Sequence, residues 1–326
     1  MNRTLAHAAV ALAVLAGGFA VACDRPVPEE PSPLGTGKVG DVHSDPGGWI
    51  EYTIGDAPLV ISAPHGGALV PTFIPDRTCA ECLTGADVGI EDLARRVGAQ
   101  FFARTGRHPH MVINKLQRGK LDPNRSVEEA TGGNAVTIPL WKAYHAFLDT
   151  ANARVAAENH RGLLLDLHGH SHAIERIELG YLVTSGDLQR SDAALSASGA
   201  VARSGITRLA SDNAGHLGAA ALLRGPSSLG ALLGQNGYPS VPSPSIPAPA
   251  PADEFYDGGY IVDHHGSSRG GPVDAVQIEA WKVGVRDTPE NRERYAAAIV
   301  ASVIEYLKLH YGWVPAVATS TGTSAR

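Results

Sequence analysis

Aromatic residues make up only 6% of the 326 residues, too few to build an aromatic-lined carbohydrate or RNA surface. Basic residues number 27 against 33 acidic ones, a net charge of −6. They form no dense cluster, so no nucleic acid is expected as a partner. Only three cysteines occur, Cys23, Cys79 and Cys82. A zinc ribbon needs two C-x-x-C pairs, and the chain has one. Cys79 and Cys82 stand in a Pro/Asp/Arg-rich stretch rather than a strand-to-helix turn, so a small structural disulfide is expected there. No internal repeat is visible.

The longest apolar run, Ala8 to Ala22, is fifteen residues, short for a membrane span. With Arg3 before it, it reads as a secretory signal. Ala20-Val21-Ala22 precede Cys23 as small residues precede the cleaved cysteine of a bacterial lipoprotein. The expected organisation is a signal peptide over 1–22, then a tether rich in Pro, Gly and Asp over 23–47 that begins at a lipidated cysteine. One folded domain over 48–311 and a disordered Ala/Thr/Ser-rich tail over 312–326 follow. The protein is then exported and held at the membrane through a lipid on Cys23, facing the periplasm or cell exterior. Ordinary cleavage would instead leave Cys23 free.

Within the domain, strand patterns (Trp49–Ile54, Leu59–Ser62, Met111–Ile113, Leu163–Leu167, Ile177–Val183, Val273–Glu279) alternate with helical ones (Asp87–Arg104, Pro139–Glu158, 191–210, Pro289–Tyr311). The six prolines between Tyr238 and Ala252 exclude a regular helix or central strand there. Such alternation predicts an α/β fold with a mixed, mainly parallel central sheet flanked by helices.

Chemistry concentrates at strand ends. Leu163–Leu167 runs into His168-Gly169-His170, with Asp166 two residues before the first histidine, and Leu59–Ala63 runs through Pro64 into His65. In open α/β sheets ligands bind at the carboxyl ends of strands. His65, His168 and Glu279 therefore converge if their strands are parallel neighbours.

A catalytic zinc takes three protein ligands and keeps one position open. His65 and His168 are the first two candidates. Asp87, Glu91 and Asp92 supply the third, with Asp87 favoured, although Asp87 also reads as a plain helix cap. Asp166 is placed to orient His168 from behind. Glu279, between Ile278 and Ala280, is a candidate proton shuttle; the bland reading pairs it with Lys282 or Arg286. Arg118 and Arg125, in a basic loop, have the fork geometry for a substrate carboxylate. His264 and His265 are candidates for the same mouth.

In order along the chain stand Pro64-His65-Gly66-Gly67, Asp87 before a helix, Asp122-Pro123-Asn124-Arg125, Asp166-Leu167-His168-Gly169-His170 and Gln277-Ile278-Glu279. This set resembles the N-formylglutamate amidohydrolase family, related in fold to zinc carboxypeptidases and aspartoacylases, over about residues 49–311. The resemblance implies a zinc-carboxypeptidase-like fold and a hydrolase of a C–N amide bond, with one zinc per chain on His65, Asp87 and His168. Glu279 matches the family's general base. Arg118, Asn124 and Arg125 match residues that grip a substrate carboxylate, and His170 is grouped with them. The expected substrate is a small carboxylate or a peptide. Two alternatives are an exported metallo-carboxypeptidase or peptidoglycan-peptide hydrolase, and a binding lipoprotein without catalysis.

Overall fold

The computed structural model describes residues 37–78, 82–213 and 216–315. The expected signal segment, Cys23, the first part of the tether, Cys79 and residues 316–326 lie outside the described residues. One sheet organises the described residues. Its strands are β1 (Val42–Ser44), β2 (Ile50–Thr53), β3 (Leu59–Ala63), β4 (His110–Asn114), β5 (Gly162–Gly169), β6 (Ile177–Gly180), β7 (Ser240–Val241) and β8 (Val273–Ala280). The spatial order is β1-β2-β4-β3-β5-β8-β6-β7. The centre, β4-β3-β5-β8, is wholly parallel, whereas β2 and β6 join it antiparallel. The fold is therefore α/β with a mixed, mainly parallel sheet, as expected.

Of the central strands, β3 and β8 are buried along their whole length and β4 and β5 at all but one residue each, as a parallel sheet covered on both faces requires. Alternation sorts their side chains. Leu59, Ile61, Leu163, Leu165, Leu167, Val276 and Ile278 enter one core, with α1 (Ile90–Thr105) supplying Leu93, Val97 and Phe101. Val60, Leu164 and Ala275 enter a second core on the opposite face, against Tyr144, Leu148 and Val155 of α2 (Thr137–Asn159). Ser62, Asp166, His168, Gln277 and Glu279 share the sequence parity of that second set. The strands' polar groups thus emerge together, on the α2 side, where the apolar filling ends.

Further along, α3 (Tyr260–His265) follows the Pro-rich segment, and α4 (Pro289–Tyr311) packs its Tyr295, Ile299 and Val303 into the first core. Thr288 caps α4 by accepting the Asn291 N–H at 3.1 Å, with proline at the first position. The Pro-rich segment contributes only the two-residue edge strand β7, as its prolines demand.

Three expectations shift. The sheet starts inside the presumed tether, because Asp45 accepts the N–H groups of Gly47, Trp49 and Ile50 and folds β1 back onto β2. The helical pattern of 191–210 breaks into short pieces, Asp192–Ala197, Val201–Arg203 and Thr207–Asp212, with Gly199 at φ 70° between the first two. The presumed tail begins ordered: Trp313 stacks on Phe101 with ring centroids 5.8 Å apart. Cys82 is disulfide-bonded. Among the described residues no helix is long and apolar enough to cross a membrane.

Candidate metal centre

His65 leaves the end of β3 and His168 lies at the end of β5, its parallel neighbour. The two imidazoles meet edge to face, centroids 4.7 Å apart. Asp87 enters between them, its Oδ2 3.5 Å from His65 Nδ1 and 3.3 Å from His168 Nδ1. All three residues are buried, and their ligand atoms lie within 4.8 Å of one another.

Asp87 is not a helix cap. Gly89, at φ 89°, occupies that position, and α1 starts at Ile90 without a side-chain cap. A left-handed residue there costs nothing for glycine, and it frees the Asp87 carboxylate to turn inward, where Oδ2 also accepts the Gly169 N–H at 3.1 Å. Glu91 and Asp92, the other candidates for third ligand, pair instead with Arg95 and Arg96 one turn on. Gly66 is required by proximity: a Cβ there would collide with the Glu91 backbone nitrogen.

Each histidine is gripped from behind. His168 Nε2 is 2.9 Å from Asp166 Oδ2, and Ser62 donates to the other Asp166 oxygen at 2.6 Å. His65 Nε2 is 2.6 Å from Asp122 Oδ1. Carboxylates behind both rings favour N–H on each Nε2 and aim both Nδ1 lone pairs at Asp87. Three acceptors then converge in a buried space, and among the described residues His65 Nδ1 has no hydrogen-bond partner. Two imidazole nitrogens and a carboxylate are a donor set for zinc. The residues present fit the ion.

The charges agree. Burial alone raises the Asp87 pKa, but His168 and His65 outweigh it and hold the carboxyl well below its usual range. Burial opposes a charge on His168, yet Asp166 and Asp87 win and raise its pKa well above the ordinary value. Without an ion, His168 is where a proton resides.

Glu279 lies beside His168 on β8, is 4% exposed, and is pushed up to about 8 by burial, against the pull of His168. Gln277 donates to its Oε1 at 2.8 Å, while Oε2 is buried with no hydrogen-bond partner among the described residues. Arg286 does not pair with it. That guanidinium donates to the carbonyls of Ala280, Val88 and His170.

No family model and no curated protein matches the chain. Solved structures similar to it include the following three. N-formylglutamate amidohydrolase from Ralstonia eutropha JMP134 is 14% identical with a TM-score of 0.47, covering 78% of this chain and 93% of that one. The N-acetylmuramyl-L-alanine amidase of Mycobacterium abscessus is 11% identical with a TM-score of 0.35, covering 76% and 98%. A candidate metallopeptidase from Shewanella amazonensis is 12% identical with a TM-score of 0.34, covering 80% and 81%. Such similarity assigns no activity by itself.

The residues expected to bind substrate divide. Arg118 donates Nε to Asp122 Oδ2 at 2.9 Å, and among the described residues no hydrogen-bond partner takes its two terminal nitrogens. Arg125 lines a cavity of about 460 Å³ with Asn124, Tyr260 and Asp263. Asn124, by contrast, is spent inside the protein: its Oδ1 accepts the Ile261 N–H at 2.9 Å and its Nδ2 lies 3.3 Å from His168 Nε2. It tethers α3 to the centre. His170 is also turned away from the role expected of it, with Nε2 2.8 Å from the Arg176 carbonyl. Its pKa is lowered by burial. His265 is not at the mouth either, because its Nε2 meets His145 Nδ1 at 2.7 Å.

Two residues escaped the sequence reading. Asp122 stood in the Asp-Pro-Asn-Arg run without a role; the signal was a carboxylate among Arg118, Lys120 and Arg125. Tyr256, 40% exposed, has a phenol that feels the charges of Glu279, Arg118 and Asp87. Its only sequence signal is an aromatic residue in a polar, Gly-rich loop.

Proposed function

We propose that this protein is a zinc-dependent hydrolase of a C–N amide bond in a carboxylate-bearing substrate. The observation that carries the reading is the convergence of His65 Nδ1, His168 Nδ1 and the Asp87 carboxylate in a buried space, beside a protonatable Glu279. When bound there, a divalent ion supplies Lewis acidity: it polarises a carbonyl and lowers the pKa of water toward neutrality.

The chain's own residues supply the rest. Asp122 and Asp166 fix the two rings so that both Nδ1 atoms face inward. Glu279 Oε1 is pinned by Gln277, which leaves Oε2 as the atom that takes and returns a proton. At about 8 in the metal-free chain, Glu279 falls toward neutrality when a dication's charge is added nearby, the range that suits a general base and acid at one site. The terminal nitrogens of Arg118, together with Arg125, offer a fork for a substrate carboxylate.

The disulfide at Cys82 supports an oxidising, exported setting, and the reading keeps the lipid anchor on Cys23 as part of the same proposal. The test is the zinc content of the purified chain, paired with hydrolysis of N-acyl amino acids and of peptides with free C-termini, before and after chelation. About one zinc at this centre with chelator-sensitive amide cleavage supports the reading. A zinc-loaded protein inert toward both panels refutes it.

A further inference from the structure

A second cluster of ligand-type side chains lies across the sheet. His170 and His172 leave the end of β5, and Glu178 stands on β6; their ligand atoms lie within 4.8 Å of one another. Glu178 is fully buried and His172 is 9% exposed. The mechanism above uses none of the three.

Their hydrogen bonds are those of groups already oriented for a ligand. His170 Nε2 is committed to the Arg176 carbonyl at 2.8 Å, which leaves Nδ1 as the acceptor, met only by the His172 N–H at 3.3 Å. Glu178 Oε2 accepts the Tyr256 N–H at 2.9 Å, and Oε1 faces His172 Nδ1 at 3.2 Å. Such outer contacts, a carbonyl behind a histidine and an N–H behind a carboxylate oxygen, hold metal ligands in place. Arg176 is shared between two carboxylates, reaching Glu178 Oε1 through Nη2 at 3.5 Å and Asp253 Oδ2 through Nη1 at 2.8 Å.

We propose that His170, His172 and Glu178 form a second divalent-metal site, suited to zinc, that clamps the two feet of the loop between β5 and β6. Two histidines and one carboxylate fit zinc and its neighbours in the transition series. The ion is structural, and separate from the catalytic one. Glu178 pairs across the sheet with Glu279, and Glu279 with His168. At the usual strand spacing these two steps put the Cα atoms of Glu178 and His168 about 10 Å apart, and the two groups share no ligand residue. The clamp reaches residues 171 and 173–175, which are exposed. It also holds Tyr256, whose N–H binds Glu178 and whose ring lies 4.5 Å from that of His172.

The experiment is a zinc titration of the tag-free, metal-stripped full chain by calorimetry, with metal content measured after dialysis. Wild type should hold two equivalents, and His65→Ala and His172→Ala one each. Glu178→Gln keeps the side chain's size and should weaken the second equivalent by more than about 100-fold, since even outer contacts are worth 10–100-fold. Should His172→Ala not fold, the visible cobalt(II) spectrum of His65→Ala decides: a ligand-field band supports the site, and its absence overturns it. Two equivalents retained in a folded His172→Ala overturn the proposal. So does a single wild-type equivalent that His65→Ala abolishes. A single equivalent that survives His65→Ala and is lost in His172→Ala would uphold this site while sinking the catalytic one.

Discussion

Glu279 and His168 face each other in register across the parallel pair of β5 and β8. The carboxyl proposed as the proton shuttle is therefore fixed relative to the imidazole proposed as a ligand by two backbones rather than by a loop. A site carried on rigid strands keeps its geometry without help from substrate.

Glu279→Gln should keep its zinc and lose turnover. Removing a general base costs about 10²–10⁴-fold, and Gln277 can still bond the new amide, so the fold should hold. Metal analysis beside kcat checks it; turnover within a few-fold of wild type would remove Glu279 from the mechanism.

Asp122→Asn tests the grip on His65. The amide still bonds the ring but no longer opposes it with a charge, and zinc affinity should drop about 10–100-fold. The readout is zinc competition with a coloured chelator. An unchanged affinity would mean that Arg77 and Arg118, and not His65, are the reason for that carboxylate.

Arg125→Ala should raise KM for carboxylate-bearing substrates about 10–100-fold, the worth of a charged hydrogen bond, and leave amide analogues of those substrates almost unaffected. Equal losses on both series would assign Arg125 to the loop's structure instead.

The pH dependence of the metal-free protein has a definite sign. Glu279 rises from an ordinary 4.5 to about 8 on folding. Its contribution is fully present below 4.5 and is lost as pH climbs through 8, because the buried carboxyl must ionise. His168 also has a raised pKa, and its contribution likewise fades as pH rises through its folded value. Asp87 is depressed and acts only at the acid end, where stability falls as pH falls below the usual carboxyl range. The Tm of chelated protein should thus fall between pH 5 and 9, and Glu279→Gln should flatten part of that slope. A Tm in the variant that falls as steeply as in wild type would contradict the assignment.

What the sequence determined by itself is local and periodic. Apolar runs such as Leu163–Leu165 can bury only as central strands. Each ends on a polar group because the strand leaves the core there, so His65, His168 and Glu279 were legible as strand-end residues. Asp166 was legible as the partner of His168 because alternation places i and i+2 on one face.

Tertiary structure decided the rest, which depends on contacts between residues far apart in the chain. Asp87 read equally as ligand and cap until Gly89 took the cap and Gly66 let α1 approach. Asn124 and Arg125 are adjacent in sequence and border the same cavity, yet the Asn124 side-chain oxygen is taken by the Ile261 N–H while, among the described residues, the Arg125 side chain bonds only the Asn124 backbone carbonyl. Glu178 carried no signal at all. Its setting arises from the antiparallel entry of β6 beside β8, a choice of neighbour that no periodicity encodes.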